Sequence, residues 1–92
     1  MKIIAKLVRK EEVISGETER GTWYRQQIIM ESMDGEGRQM AFKVQGIQNI
    51  HVFEQVSVGS TLQVGFVIDS RESNGRWFTD LKVVNVDVLK TA

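Results

Sequence analysis

The sequence predicts an all-β domain in which about five short strands close into a small barrel, with one short helix between the third and fourth strands. Three observations carry that reading. Eight glycines and no proline cut a chain of 92 residues into strand-length pieces. Two hairpin connections, counted outward from their turns, each sort apolar residues onto one face and polar residues onto the other. Only the stretch after Gly46 changes from a period of two to spacings of three and four.

The first strand lies within residues 3–14, where Ile3, Ala5 and Leu7 alternate before the charged run Arg9 to Glu12. A bend or bulge is expected near its middle. Gly16 to Gly21 is polar and bracketed by glycines, so it reads as a loop. A second strand follows over residues 22–32 and a third over 38–46. With Gly35, Glu36 and Gly37 as a hairpin loop and Gly37 left-handed, Met30 falls opposite Phe42 and Ile28 opposite Val44. These four residues share the inward face, and Arg25, Gln27, Lys43 and Gln45 take the outward one.

After Gly46, the spacing of Ile47, Ile50 and Phe53, and of Val52 and Val56, suits a short helix with one apolar side. At under three turns it depends on tertiary packing. Leu62, Val64, Phe66 and Ile68 then alternate strictly with other residues as a fourth strand. Asn74-Gly75 readily supplies the two positive-φ residues of a type I′ turn. Counting from it sets Ile68 opposite Leu81, Phe66 opposite Val83 and Asp69 opposite Asp80, with Lys82 and Arg71 as diagonal partners for the two carboxylates. Beyond Val83 the apolar phase moves to Val84, Val86 and Val88, which a bulge near Val84 or Asn85 explains. The inward set Ile28, Met30, Phe42, Val44, Leu62, Val64, Phe66, Ile68, Leu81 and Val83 is the expected core. Three strands, a helix and two strands describe a five-stranded oligonucleotide/oligosaccharide-binding (OB) fold barrel. An SH3-like barrel, the runner-up, normally lacks that helix.

Composition bounds the function. Hydrophobic residues at 41% and charged residues at 26% are ordinary for a globular chain, and the length suits a single domain over residues 1–92. Twelve basic and twelve acidic residues balance, so contact with a polyanion must be a local patch. With no Cys and one His, thiolate zinc sites and histidine cages are excluded. His51, in the expected helix near Glu54, reads as a solvated residue, and the glycines fit no phosphate-binding motif. The Asp34 to Gly37 turn lacks calcium-loop spacing. The reading is a chain that is not an enzyme and takes no metal or cofactor. The charged start Met1 to Lys10 does not resemble a signal peptide and no apolar run would span a bilayer, so the expected location is cytoplasmic, with no membrane partner.

Ser15-Gly16, Gly21-Thr22-Trp23, Gln26, Glu31, Phe42, Gly46 and above all the stretch Phe66 to Asp80 resemble a bacterial family of uncharacterised OB-fold domains, itself similar to bacterial single-stranded-DNA-binding proteins. The resemblance covers about residues 5–86, and its most specific part is the run from Ser70 to Asp80. Gln45 and Ile47-Gln48 depart from the family's pattern, which has Trp and Asp-Lys there, and the missing aromatic removes one stacking position.

The resemblance implies single-stranded DNA or RNA as partner, and the outward face has the residue types that such a partner needs. Trp23, Arg25, Gln27, Lys43 and Gln45 come from the second and third strands, and Arg71, Arg76, Phe78 and Lys82 from the last hairpin. The counterweight is acidic: Glu19, Glu31, Asp34, Glu36, Glu72 and Asp80 lie in the same segments. A protein-interaction or assembly module is therefore the alternative. Trp23 and Trp77 are open to either stacking on ligand or packing the barrel ends, and Trp77 falls on the core-facing parity. Ile4, Val8, Val84, Val86 and Val88 offer more apolar surface than one small core absorbs, so a homo-oligomer is expected.

Overall fold

The computed structural model describes residues 1–92. In chain order its elements are β1 (Lys2–Lys10), β2 (Ile14–Thr18), β3 (Gly21–Ser32), β4 (Gln39–Gln45), α1 (Ile47–Glu54), β5 (Thr61–Ser73) and β6 (Arg76–Lys90). The strands form one ladder in the order β1-β5-β6-β4-β3-β2, and an additional β1–β3 pairing returns it to its start. All pairings are antiparallel except β4–β6, a short parallel seam of Phe42 with Leu81 and Lys43 with Lys82. No helix is long and apolar enough to cross a membrane.

The expected bend in β1 is a register shift between Leu7 and Arg9, which leaves Val8 as the extra residue. The bulge lets one strand serve two neighbours, with Lys2 to Lys6 on β5 and Ala5 to Lys10 on β3. The expected loop at Gly16 to Gly21 is instead mostly strand. Ile14 to Thr18 pairs with Gly21 to Arg25, and only Glu19 and Arg20 turn the chain. β2 therefore continues the edge of β3 that β1 occupies, after a break at residues 11–13. The amide of Gln26 donates to the Glu11 carbonyl at 2.9 Å across that break.

The β3–β4 hairpin keeps the expected faces and shifts the expected pairs by two residues. Ile28 faces Phe42, Met30 faces Met40, and Gln26 faces Val44. Gly37 is left-handed, but Asp34 builds a longer connection. Its Oδ1 accepts from the Ser32 hydroxyl at 2.8 Å and the Glu36 amide at 2.9 Å, and the Ser32 hydroxyl accepts from the Arg38 amide at 3.1 Å. Parity survives a shift of two because side-chain direction repeats every second residue. The β5–β6 hairpin holds its expected register, with Asn74 and Gly75 both at positive φ and Val84 unpaired between Val83 and Asn85.

The core consists of eleven residues, among them Leu7, Ile28, Met30, Phe42, Val44, Leu62 and Val64. Helix α1 caps one end of it through Ile50 and Phe53, while Ile47 and Val52 stay half-exposed. Lys10 ties down the end of α1, its Nζ donating to the carbonyls of Phe53 at 3.0 Å and Val56 at 2.8 Å. The first of these is a carbonyl that a helix end leaves without an intrahelical partner, and the second lies just past the cap. Four expected core residues differ. Phe66, Leu81 and Val83 are only partly buried, and Ile68 is 51% exposed. For Ile68 the cause is the short β4–β6 seam: beyond the Ile68–Leu81 pair, toward the Asn74-Gly75 turn, the β5–β6 hairpin has no strand beside it and runs on as a two-stranded arm. Trp77, on the core-facing parity of that arm, is 69% exposed and packs no barrel end.

Candidate nucleic-acid interface

Alternation along β3 and β4 puts Trp23, Arg25 and Gln27 beside Lys43 and Gln45, and the register makes Arg25–Gln45 and Gln27–Lys43 direct cross-strand pairs. The polar face read from the sequence is thus assembled as one surface. Trp23 sits at its β2 side, opposite Gly16. A Cβ on Gly16 would lie 2.4 Å from the indole, so the ring rests against bare backbone and only glycine permits it. Trp23 is nonetheless 40% exposed, and the Arg25 guanidinium lies over its ring at 5.0 Å. This arrangement has the geometry of a cation–π pair.

The arm supplies the other wall. Arg71, Arg76, Phe78 and Lys82 share its outer side with Asp69 and Asp80, and Phe78 is 44% exposed with the Arg71 guanidinium 5.9 Å from its ring. Both diagonal ion pairs expected from the sequence form, Lys82 with Asp69 and Arg71 with Asp80, each at 2.8 Å. Lys43 adds a third bridge to Asp80 at 3.4 Å across the parallel seam. The Arg71 hydrogen bond holds the Asp80 carboxyl below its ordinary range, with Lys43 helping, and Lys82 does the same for Asp69. A carboxylate with a depressed folded pKa contributes stability above the unfolded value and loses it as pH falls through the folded one. The bridges are therefore intact at neutral pH and open only on acidification. Arg25 and Arg76 make no ion pair, whereas Arg76 at the arm tip is remote from Trp23 in the ladder.

Between the sheet face and the arm lies an open groove of about 580 Å³, bordered by Arg25, Gln27, Lys43, Arg71 and Asp80. Glu11 and Glu12 close its third side. A smaller cleft of about 340 Å³ runs beside Trp23, Arg25, Gln45 and Ile47. Three features of this face were not picked from the sequence: Gly16 under Trp23, the acids Glu11 and Glu12, and the Lys43–Asp80 bridge. Only the first had a local cue, a glycine inside what proves to be a strand, which often marks close approach of another group.

The fold recurs in solved structures. The chain is similar to the mitochondrial single-stranded DNA binding protein Rim1 of S. cerevisiae, with a TM-score of 0.78 at 14% identity over 100% of this chain and 96% of that one. It is also similar to the SSB domain of a Synechococcus sp. protein, with a TM-score of 0.64 at 12% identity over 94% and 90% of the two chains. At such identities the likeness concerns the fold, which is the OB fold of these proteins. No curated protein sequence matches the chain. The family described as "Domain of unknown function (DUF3127)" matches residues 2–87, nearly the whole sequence, and the chain belongs to that family.

Proposed function

We propose that this chain is a non-enzymatic module that binds single-stranded nucleic acid, DNA foremost, across the outer face of β3 and β4 and along the β5–β6 arm. The observation that carries the reading is the pairing of exposed rings with guanidinium groups beside an open groove, Arg25 over Trp23 and Arg71 over Phe78. Rings give sequence-tolerant stacking and cations meet phosphates. The fold shared with single-stranded-DNA-binding proteins supports the same reading. Gln27, Gln45, Arg76 and Lys82 extend the proposed surface around this centre, and the lack of Cys fits a reducing compartment such as the cytoplasm.

The test is a fluorescence titration with short single-stranded DNA at several salt concentrations. Binding is expected at about 50 mM salt, a condition that favours phosphate contacts, and Arg25→Ala should lower the salt slope by about 0.7, the share of one phosphate on a single strand. Absence of wild-type binding at that salt overturns the reading. One observation favours a protein-docking face as the second reading: the groove's cations Arg25, Lys43 and Arg71 are matched by Glu11, Glu12 and Asp80. Trp23 and Phe78 would then be its anchors.

Self-association is part of the proposal, because Ile4, Val84 and Val88 stand about half-exposed away from the groove. Light scattering at tens of micromolar, a range suited to an obligate interface, should give a particle larger than one chain.

A further inference from the structure

Two of the three cations that border the groove are already occupied by a carboxylate of the same chain, and one oxygen does all of this. Asp80 Oδ2 lies 2.8 Å from Arg71 Nη1 and 3.4 Å from Lys43 Nζ. Two cations from different strands, β4 and β5, thus converge on one anionic oxygen at the edge of an open groove, where a phosphodiester oxygen would make the same contacts. The bridge also fixes Arg71 over the Phe78 ring, so the carboxylate holds in place the group that covers a stacking surface. Asp80 in turn is kept ionised by these partners, chiefly Arg71. Arg25, which no carboxylate engages, is left to meet an incoming strand first.

We infer that Asp80 is a built-in competitor for phosphate: its carboxylate occupies the Lys43–Arg71 anion position, and a nucleic-acid backbone binds there only by displacing it. This rests on the nucleic-acid reading of the face and adds to it a residue that limits affinity. Displacement exchanges one anion for another at those two cations. The wild-type complex therefore gains little from them, and its salt dependence reports chiefly Arg25. Removing the charge of Asp80 should convert Lys43 and Arg71 into ordinary phosphate contacts and let Phe78 accept a base.

The experiment compares the full chain with Asp80→Asn and Glu12→Gln, using labelled oligothymidylate of about 16 nucleotides, the upper site size of one OB fold. Glu12 borders the same groove and bridges no cation, so its variant removes equal charge without releasing Lys43 or Arg71. Asp80→Asn should bind at least about fivefold tighter at about 50 mM salt, with a salt slope steeper by up to about 1.4, two single-strand phosphate contacts. Glu12→Gln should tighten binding through the field alone, with the wild-type slope. Asp80→Ser makes the same change by a shorter side chain if the amide disturbs folding, which circular dichroism reports. An Asp80→Asn variant with the affinity and slope of Glu12→Gln overturns the inference while the wild type still binds. If neither the wild type nor Asp80→Asn binds, both this inference and the reading of the face are overturned. Binding by Asp80→Asn alone, with none by the wild type, overturns the reading of the native face and the inference that rests on it.

Discussion

Phe42→Ala is expected to lose about 3–5 kcal/mol of stability, the usual cost of deleting a buried aromatic ring. Phe42 is 1% exposed and lies on β4, the strand that joins the β3 hairpin to the parallel seam with β6. Its neighbours in the ladder are Ile28 on one side and Leu81 on the other. It also meets Phe66 edge to face, with ring centroids 5.4 Å apart at 81°. Such a pair adds about 0.5–1.5 kcal/mol beyond the area it buries. The cavity would open where two hairpins meet directly through only two residue pairs, so neighbouring strands have little freedom to fill it. For a small domain with about 5–15 kcal/mol in total, the change removes a large share. Urea unfolding should show a lower midpoint at an unchanged slope. A loss under about 1 kcal/mol would mean that Phe42 is not where the two halves are joined. Phe66→Ala should cost less, since that ring is only partly buried.

Trp23→Ala should weaken oligonucleotide binding by about 1–3 kcal/mol and leave the salt slope nearly unchanged, because stacking releases no counterions. The expectation follows from the way the ring is held. Gly16 supports it from the neighbouring strand and Arg25 covers it, so it is fixed at the surface before any ligand arrives. Little ordering cost is then left for binding to meet. Gly16→Val tests the same point without touching the indole: the added side chain must push the ring aside, and affinity should fall while Trp23 is still present. If Trp23→Ala altered the salt slope as much as Arg25→Ala, the ring would be acting by positioning Arg25 rather than by stacking.

How far the sequence reached depends on what kind of contact each residue makes. Asn74-Gly75 fixes a turn from two residues, so the whole β5–β6 register, including Ile68 with Leu81 and Asp69 with Asp80, could be counted from it. Across β3 and β4 the inward and outward sets were legible because alternation is indifferent to a shift of two. The pairs themselves were not, since the hydrogen bonds of Asp34 set the length of the connection. β2 was hidden because Ile14 to Thr18 is largely exposed on both faces and shows no burial pattern. Ile68 was misplaced, and Trp77 left open, for a related reason: alternation gives a side but not the point at which the barrel stops covering it. In the candidate site, both bridges within the last hairpin were legible. The Lys43–Asp80 bridge joins residues 37 positions apart through a parallel seam, and no local spacing announces it.

The double pairing of β1 has a kinetic consequence. The arm can zip outward from Asn74-Gly75 as a local hairpin, an event of about 1–10 μs. Ring closure is another matter: Lys2 must find Gly65, 63 positions further along the chain, and β4 must meet β6 side by side. Barrels dominated by such non-local pairings fold in milliseconds to seconds. Until β1 docks, β3 and β5 each present an open ladder edge, and both edges are closed by the same nine-residue segment. The interval before β1 arrives is therefore when a nascent chain is most open to pairing with another copy of itself. The bulge at Val8, by letting one strand seal two seams, shortens that exposure to a single docking event.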